Sequence, residues 1–281
     1  MKITVIIPSY NEWPYIKYCL ISLSKQTIKH EIIAVDDGSK DKTYEKLVEF
    51  IKEHHFENLK LLKQDHLGPA QARNLGAKNA LGEILVFVDA DMTFSSDFLQ
   101  QLTNPILENK FKGTFSKNEK VANWDNFWAK SWNYNQNLAN DLRIPSDYPL
   151  FAPVFRAILK SEFERVGGFT KGLGWVDDWS LSKKLGYKAS STQAVYYHHN
   201  PETLFQVFKQ ANWIGKNVFL TGNISLFVKN LMKYSFLVSI LLGFFKSIKF
   251  KLWKFFIFKI IYDFGITSGI LSTLFSTNRN K

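Results

Sequence analysis

The sequence predicts an α/β protein with a mostly parallel central sheet flanked by helices, followed by a helical C-terminal region. In the first half of the chain, short apolar runs alternate with amphipathic stretches, as strands joined by crossover helices do. Beyond Pro201 the pattern is mainly helical, and apolar residues are interleaved with lysines. With 281 residues, 46% of them hydrophobic, the chain is long enough for one large α/β domain and an additional segment.

Four strands and three helices are predicted in the first half. The strands are the apolar runs Ile3–Ile7 (ended by Pro8), Glu31–Val35, Leu59–Leu62 and Ile84–Val88. The helices are expected near Glu12–Ser24, Lys42–His54 and Pro69–Ala80. Farther along, the pattern predicts a strand over Phe151–Lys160, a helix that ends at Leu185 before Gly186, and a last strand that reaches about Tyr197.

Acidic residues follow the ends of three predicted strands. Glu12 comes after the first strand, Asp36 and Asp37 after the second, and Asp89 and Asp91 after the fourth. Ligands of open parallel sheets bind outside the carboxyl ends of the strands, so these side chains are expected at one edge. Crowded carboxylates repel one another unless a cation or hydrogen-bond donors lie between them. The pattern therefore predicts a functional site at this edge, in which either a cation or hydrogen-bond donors separate the carboxylates.

The order and spacing of the motifs resemble the inverting family-two glycosyltransferases, which have a GT-A (Rossmann-like) fold. The resemblance covers about residues 3–200 and is carried by Ile3–Glu12, Val35–Thr43, Gly68–Gly76, Gly82–Asp91, Gly167-Gly168-Phe169, and Asp177-Asp178 with Leu181, Leu185 and Gly186. Each motif is weak alone, but the series together is strong. The resemblance implies a nucleotide-sugar donor, UDP- or GDP-linked, and a divalent cation, Mg²⁺ or Mn²⁺.

The resemblance also implies roles on the donor side. Asp91 is expected to ligate the metal directly, Asp89 to contact the ribose or the metal, and His198, ahead of His199, to help complete the metal shell. The residues expected to bind the nucleotide-sugar are Pro8, Tyr10, Glu12, Asp37, Arg73 and Asp89. Asp37 would accept a ring N–H of uracil or guanine. The alternatives are a helix-capping turn at residues 36–39, a surface ion pair for Arg73 and a structural histidine at 198.

On the acceptor side, the resemblance makes Asp178 the general base that removes the proton of the acceptor hydroxyl. The family usually has Glu-Asp here, whereas this chain has Asp177-Asp178, and Asp177 is expected to position the acceptor or a loop. Trp175 and Trp179 would stack on sugar faces, or else pack in the core. The segment Gln210–Trp213 lacks the arginine of the QxxRW element, which argues against a processive synthase.

The C-terminal segment carries most of the positive charge. From residue 224 onward there are nine basic residues and one acidic residue, Asp263, which together give about +8 of the net +11. Because these charges alternate with large apolar residues, they indicate an anionic membrane surface and not a nucleic acid. Tyr234–Phe245 is too short to span a bilayer, and Lys259 and Asp263 interrupt Phe255–Phe275. Interfacial helices are expected, with a short membrane hairpin as the alternative.

These observations predict a catalytic domain over residues 1–222 and a membrane-associating region over residues 223–281. The expected reaction moves a sugar to a lipid-linked or cell-surface glycan acceptor at the cytoplasmic face of the membrane, with the protein peripheral or monotopic. A single cysteine, Cys19, and an N-terminus without a signal-peptide pattern agree with a reducing compartment. Two alternatives remain: a polyprenyl-phosphate glycosyltransferase, and a degenerate transferase that only binds membranes.

Overall fold

The computed structural model describes residues 1–138, 140–170, 177–218 and 224–275. The chain forms two compact units, one from residues 1–120 and 144–198 and the other from residues 121–143 and 199–281. The predicted domain boundary at residues 222 and 223 lies outside the described residues, so the functional division of the chain stays a prediction. The first unit is α/β and the second is mainly helical.

The described part of the chain forms the following strands and helices. In chain order they are β1 (Ile3–Ser9), α1 (Tyr15–Ser24), β2 (Glu31–Asp36), α2 (Thr43–Glu53), β3 (Leu59–Lys63), α3 (Pro69–Asn79), β4 (Ile84–Phe87), β5 (Met92–Phe94), α4 (Phe98–Leu107), β6 (Gly113–Val121), α5 (Phe127–Asn135), β7 (Phe151–Ala152), β8 (Ala157–Leu159), α6 (Lys160–Arg165), α7 (Asp177–Leu185), β9 (Ala189–His198), α8 (Leu204–Val218), α9 (Ile224–Lys233), α10 (Phe236–Lys249) and α11 (Phe255–Phe275).

One sheet organises the α/β unit. Its strand order is β3-β2-β1-β4-β8-β6-β9-β5, with β7 paired to β9. Strands β3, β2, β1 and β4 run parallel, whereas β8 is antiparallel to β4 and to β6. The residues of β1, β2 and β4 are almost all buried, as expected of parallel strands covered on both faces. The mixed α/β fold and the parallel half of its sheet are therefore as predicted.

Two of the predicted strands differ from the observed ones. Strand β1 does not end before Pro8 but continues to Ser9, with Pro8 opposite Val35 of β2. Proline is tolerated there because the pairing of β1 with β4 ends at Ile6, before the missing N–H would be needed. The single strand expected over Phe151–Lys160 is wrong: β7 pairs with β9, β8 pairs with β4 and β6, and α6 begins at Lys160.

The helical unit is assembled around the packing of α8 against α11. Glycines allow the two backbones to approach closely, because a Cβ atom added at Gly265 would lie only 2.8 Å from the carbonyl oxygen of Phe208. A Cβ atom at Gly269 would collide with the carbonyl oxygen of Asn212, and one at Gly215 with that of Ile266. Any larger residue at these positions would push the helices apart.

The two charges that interrupt the apolar run of α11 neutralise each other inside the helical unit. Lys259 and Asp263 are buried and form an ion pair of 2.6 Å, and the hydroxyl of Ser239 on α10 donates to Asp263 over 2.7 Å. Within the described residues, α11 is the one helix that is long and apolar enough to cross a bilayer unaided. About 44% of the apolar stretch of α11 is buried inside the protein, however, and the core helix of a soluble protein can be equally long and apolar.

Candidate active site

Asp89, which follows β4, is held between two arginines. Its Oδ1 accepts a hydrogen bond of 2.7 Å from Arg73 on α3, and its Oδ2 one of 3.3 Å from Arg156, just before β8. Burial alone would raise the pKa of Asp89, but the guanidinium charges of Arg156 and Arg73 outweigh burial and hold the pKa well below its ordinary value. Arg73 is 8% exposed, so the expected alternative of a surface ion pair is not what forms.

Asp91 belongs to a second chain of contacts at the same edge. Its Oδ1 lies 3.0 Å from Nε2 of His198, at the end of β9. The other ring nitrogen of His198, Nδ1, lies 2.7 Å from Glu119 on β6, and Glu119 also accepts from the hydroxyl of Tyr196 over 2.9 Å. Both ring nitrogens of His198 thus face carboxylate acceptors, Nδ1 facing Glu119 and Nε2 facing Asp91.

The arrangement around Asp91 fits a metal ion that is completed by a substrate. Among the described residues, no group of three or more His, Cys, Asp or Glu side chains is placed to hold a metal by itself. Asp91 and His198 nevertheless present one carboxylate and one imidazole to the same point, and Glu119 supplies the outer contact that metal-binding histidines usually have. Mg²⁺ and related ions are commonly held by one or two carboxylates together with phosphate oxygens.

Glu12 lies beside these two carboxylates, after β1. Burial, followed by the negative charges of Asp91 and Asp89, raises the pKa of Glu12 from 4.5 to about 8. Near neutral pH the ligand-free protein therefore keeps Glu12 largely protonated. A protonated carboxyl group can donate a hydrogen bond as well as accept one. The sequence predicted that Glu12 contacts the nucleotide-sugar, but not that Glu12 could donate to it.

Stability is expected to fall as the pH rises from about 5 to about 8, because of Glu12. Its pKa is higher in the folded than in the unfolded state, so the native protein binds the extra proton in this interval, and deprotonation favours unfolding. In the Glu12→Gln variant the side chain is neutral at every pH, so stability should depend less on pH in this interval. Urea unfolding at pH 5, 6.5 and 8 measures the effect. A profile that keeps the wild-type slope in the variant would refute the assignment.

Asp37 is buried at the end of β2 and is surrounded by donors from one loop. Its Oδ1 accepts from Nε2 of Gln64 over 2.6 Å and from the backbone N–H of Leu67 over 2.9 Å. Its Oδ2 accepts from the N–H of Gly68 over 2.9 Å and lies 2.9 Å from Nδ1 of His66. The carboxylate of Asp37 thus fixes the loop between β3 and α3 at the edge where a nucleotide is expected.

The predicted capping turn at residues 36–39 forms only in part. The N–H of Ser39 donates to Asp36 over 3.2 Å, but the hydroxyl of Ser39 accepts from the N–H of Asn11 and caps no helix. The side chain of Asp41 accepts from the N–H of Thr43, the first residue of α2. These bonds tie the loop after β1 to the loop after β2, which places Tyr10 next to the Asp37 loop.

The acceptor-side residues are described only in part. Asp177 and Asp178 begin α7, and their side chains, together with all of Trp175, lie outside the described residues. Trp179 is 52% exposed, so the alternative that it packs in the core is wrong.

Sequence reasoning missed four side chains of this site: Gln64, His66, Glu119 and Arg156. Arg156 left one signal, since it is the single charged residue among the apolar residues of segment 151–159.

The fold and the site together define a glycosyltransferase with a GT-A fold: a mixed sheet in which the carboxyl edge of the parallel half carries Asp37, Asp89 and Asp91. The chain belongs to Glycosyl transferase family 2, whose family model matches residues 4–167.

Curated relatives match parts of the chain. Glycosyltransferase GlyA from Streptococcus pneumoniae serotype 4 is 39% identical over 108 residues, which are 38% of this chain and 15% of GlyA. The dolichol-phosphate mannosyltransferase of Pyrococcus furiosus is 30% identical over 173 residues, 59% of this chain and 48% of the relative. The chain therefore spans less than half the length of these relatives.

Solved structures match nearly the whole chain. The mannosyltransferase PcManGT from Pyrobaculum calidifontis, in complex with GDP-Man and Mn²⁺, superposes with a TM-score of 0.61 at 19% identity, covering 99% of this chain and 88% of that one. S. aureus TarS 1–349 in complex with UDP-GlcNAc gives a TM-score of 0.56 at 19% identity, covering 89% and 73%. At this identity the similarity concerns the fold alone.

Proposed function

We propose that the protein transfers a sugar, with inversion, from a UDP- or GDP-sugar to a lipid-linked or cell-surface glycan. The observation that carries the proposal is the convergence of Asp37, Asp89 and Asp91 at one sheet edge, each with a distinct set of partners. The structurally similar proteins bind GDP-Man with Mn²⁺ and UDP-GlcNAc, which supports a nucleotide-sugar donor here. Tyr10, Pro8 and Glu12 would line the cleft for that donor.

A divalent cation, Mg²⁺ or Mn²⁺, is proposed to be held by Asp91 and His198. When bound, such an ion neutralises the charge that develops on a leaving nucleotide diphosphate. Each oxygen of Asp89 accepts from one arginine, which leaves lone pairs on both, and Asp89 is proposed to contact the ribose or the ion. Arg73 and Arg156 bring two positive charges to the same edge, where diphosphate oxygens would be stabilised.

Asp178 is proposed as the general base. Its carboxylate takes the proton of the acceptor hydroxyl while that oxygen forms a bond to the anomeric carbon and the nucleotide diphosphate leaves from the opposite face. Asp177 would position the acceptor, and Trp175 would stack on a sugar face. The membrane-binding but inactive alternative would not need the carboxylates at positions 37, 91 and 178, all of which are present.

Product analysis separates the two acceptor classes. The purified protein is given a radiolabelled UDP- or GDP-sugar with either a polyprenyl phosphate or a polyprenyl-diphosphate saccharide. The proposal expects label on the saccharide; label on the bare phosphate would favour the polyprenyl-phosphate glycosyltransferase instead. Label on neither lipid, with label on soluble glycan, would remove the lipid-linked part of the proposal.

Helix α10 supports the proposed peripheral association with the cytoplasmic face of a membrane. One of its faces exposes a row of large apolar side chains: Phe236, Leu237, Leu241, Phe244, Phe245 and Ile248. Exposed Trp253 follows the helix, and the lysines at 249, 251 and 254 flank the row. A continuous apolar face with basic borders is the pattern of a helix that lies in the interface of an anionic bilayer.

The double substitution L241E/F245E should abolish binding to liposomes that contain anionic lipid. Both side chains are exposed, at 60% and 66%, so the change should leave the fold intact while two charges oppose insertion of the apolar face. Liposome flotation measures the bound fraction. The matched control is Leu81→Glu, at an exposed apolar residue of the α/β unit. If the double variant floats as well as the wild type, the membrane role of α10 is wrong.

A further inference from the structure

The imidazole of His66 makes two contacts at once in the Asp37 site. Its ring stacks on Tyr10, with ring centroids 3.9 Å apart and planes inclined by 20°. Its Nδ1 lies 2.9 Å from Oδ2 of Asp37 and is hydrogen-bonded to the backbone carbonyl oxygen of Asp37 over 3.2 Å, so Nδ1 carries the proton. A planar heteroaromatic ring thus stacks on Tyr10 and places a ring N–H against the buried Asp37.

The carboxylate of Asp37 is enclosed by its own loop. It accepts from Gln64, Leu67 and Gly68, and the imidazole of His66 lies against its Oδ2, with Nδ1 2.9 Å away. A base that stacks on Tyr10 and donates to Oδ2 must therefore displace the imidazole or one of these three donors. Two of the donors are backbone N–H groups, which can leave only if the loop itself moves.

The loop backbone is held in place, whereas the side chain of His66 is accessible. Gly38 packs against the loop so closely that a Cβ atom there would lie 2.8 Å from the backbone nitrogen of His66. Gln64 is anchored by its N–H, which donates to the carbonyl oxygen of Asp36 over 2.9 Å. The side chain of His66 is 31% exposed, against 3% for Asp37, and rotation about its χ1 needs no backbone change.

We propose that His66 occupies the nucleobase position in the donor-free enzyme and must rotate away before a base can bind. This inference rests on the proposed function, in which Asp37 reads the ring N–H of the donor's base. The imidazole offers the same chemistry as a uracil or guanine ring: a flat π face for Tyr10 and a ring N–H for Asp37. His66 therefore acts as an internal competitor that lowers the apparent affinity for the donor.

The loss of donor affinity depends on how often the side chain of His66 is rotated out of the site. If His66 leaves the site vacant about one tenth of the time, the apparent Kd of a base-containing ligand is about tenfold higher than its intrinsic value. Removal of the imidazole should recover that factor. Ligands without a base should keep the same Kd when the imidazole is removed, because they do not enter the Asp37–Tyr10 site.

Isothermal titration calorimetry of four proteins tests the proposal: wild type, His66→Ala, His66→Phe and the control His55→Asn. His55 is exposed and has a positive φ of 51°, which asparagine tolerates. With Mn²⁺ present, His66→Ala should bind UDP or GDP about tenfold more tightly than wild type, while pyrophosphate binds all four proteins equally. His66→Phe, which can stack on Tyr10 but cannot donate to Asp37, should lie between wild type and His66→Ala.

Each outcome decides a different claim. Equal or weaker UDP and GDP binding by His66→Ala overturns the competitor role, and weaker binding would make His66 a partner of the base instead. A parallel gain for pyrophosphate would also overturn it, because the effect would not concern the base. If neither wild type nor His66→Ala binds any nucleoside diphosphate, the proposed function itself fails and the inference falls with it.

Discussion

Substitution Asp89→Ala is expected to destabilise the α/β unit by about 3 kcal/mol, because it removes the carboxylate shared by two arginines. Arg73 and Arg156 have side chains only 10% and 12% exposed, and without Asp89 their like charges would face each other at the sheet edge. For a protein of this size, such a loss lowers the Tm by roughly 6–12 °C. Thermal unfolding followed by circular dichroism measures the shift.

Asp91→Ala is the matched control for this stability effect. Asp91 lies two residues away with the same side-chain exposure of 29%, but its contact is a single histidine. Its removal should change the Tm by no more than about 3 °C, which corresponds to less than about 1 kcal/mol. Equal destabilisation by both substitutions would contradict the distinct roles assigned to the two carboxylates.

The contribution of Asp89 also has a defined pH dependence. Since its folded pKa lies below its ordinary value of 3.8, the stabilisation is complete above that value and is lost as the pH falls below it. The sign is opposite to that of Glu12, whose contribution is lost as the pH rises toward 8. Asp89 and Glu12 together should therefore make the wild type most stable in mildly acidic solution.

Asp178→Asn is expected to lower kcat by about 10²–10⁴-fold while it leaves the Kd for the donor unchanged. The amide is nearly isosteric with the carboxylate but cannot take the acceptor proton. The proposed donor site is built by residues after β1, β2 and β4, so donor binding should not depend on position 178. Steady-state transfer rates and nucleotide titrations with the same preparation measure the two quantities.

Asp177→Asn serves as the control for the proposed base. Both residues lie in the first turn of α7, so any general disturbance of that turn should affect the two variants alike. Asp177→Asn is expected to raise the acceptor KM more than it lowers kcat. Asp178→Asn with more than one tenth of wild-type activity, or with donor binding lost together with activity, would remove Asp178 from the role of base.

The parallel half of the sheet could be predicted because each of its strands is encoded by a short, continuous stretch of sequence. Each of β1, β2 and β4 contains an apolar run, and acidic residues come within a few positions after it, so both the strands and the polar edge were visible in the sequence. The same locality explains why Asp37, Asp89 and Asp91 could be placed together. Their distance in sequence did not matter, since parallel strands bring their carboxyl ends to one edge.

The partners of these carboxylates were not predictable because they come from distant segments without a regular pattern. Glu119 lies in β6, whose sequence is too polar to read as a buried strand, and reaches His198 from 79 residues away. Arg156 reaches Asp89 only because the chain changes strand partners between β7 and β8. The bond from His66 to Asp37 depends on loop geometry, which hydrophobic periodicity does not encode.

Metal-dependent stabilisation by a nucleotide-sugar tests the central claim most directly. A ligand that binds only the native protein raises its Tm, so UDP-, GDP- and dTDP-sugars are each added with and without Mn²⁺. The account predicts that at least one UDP- or GDP-sugar raises the wild-type Tm more with Mn²⁺ than without, and that Asp91→Ala loses the Mn²⁺-dependent part. If no nucleotide-sugar shifts the wild-type Tm in the presence of Mn²⁺, the donor and metal site proposed at this sheet edge is contradicted.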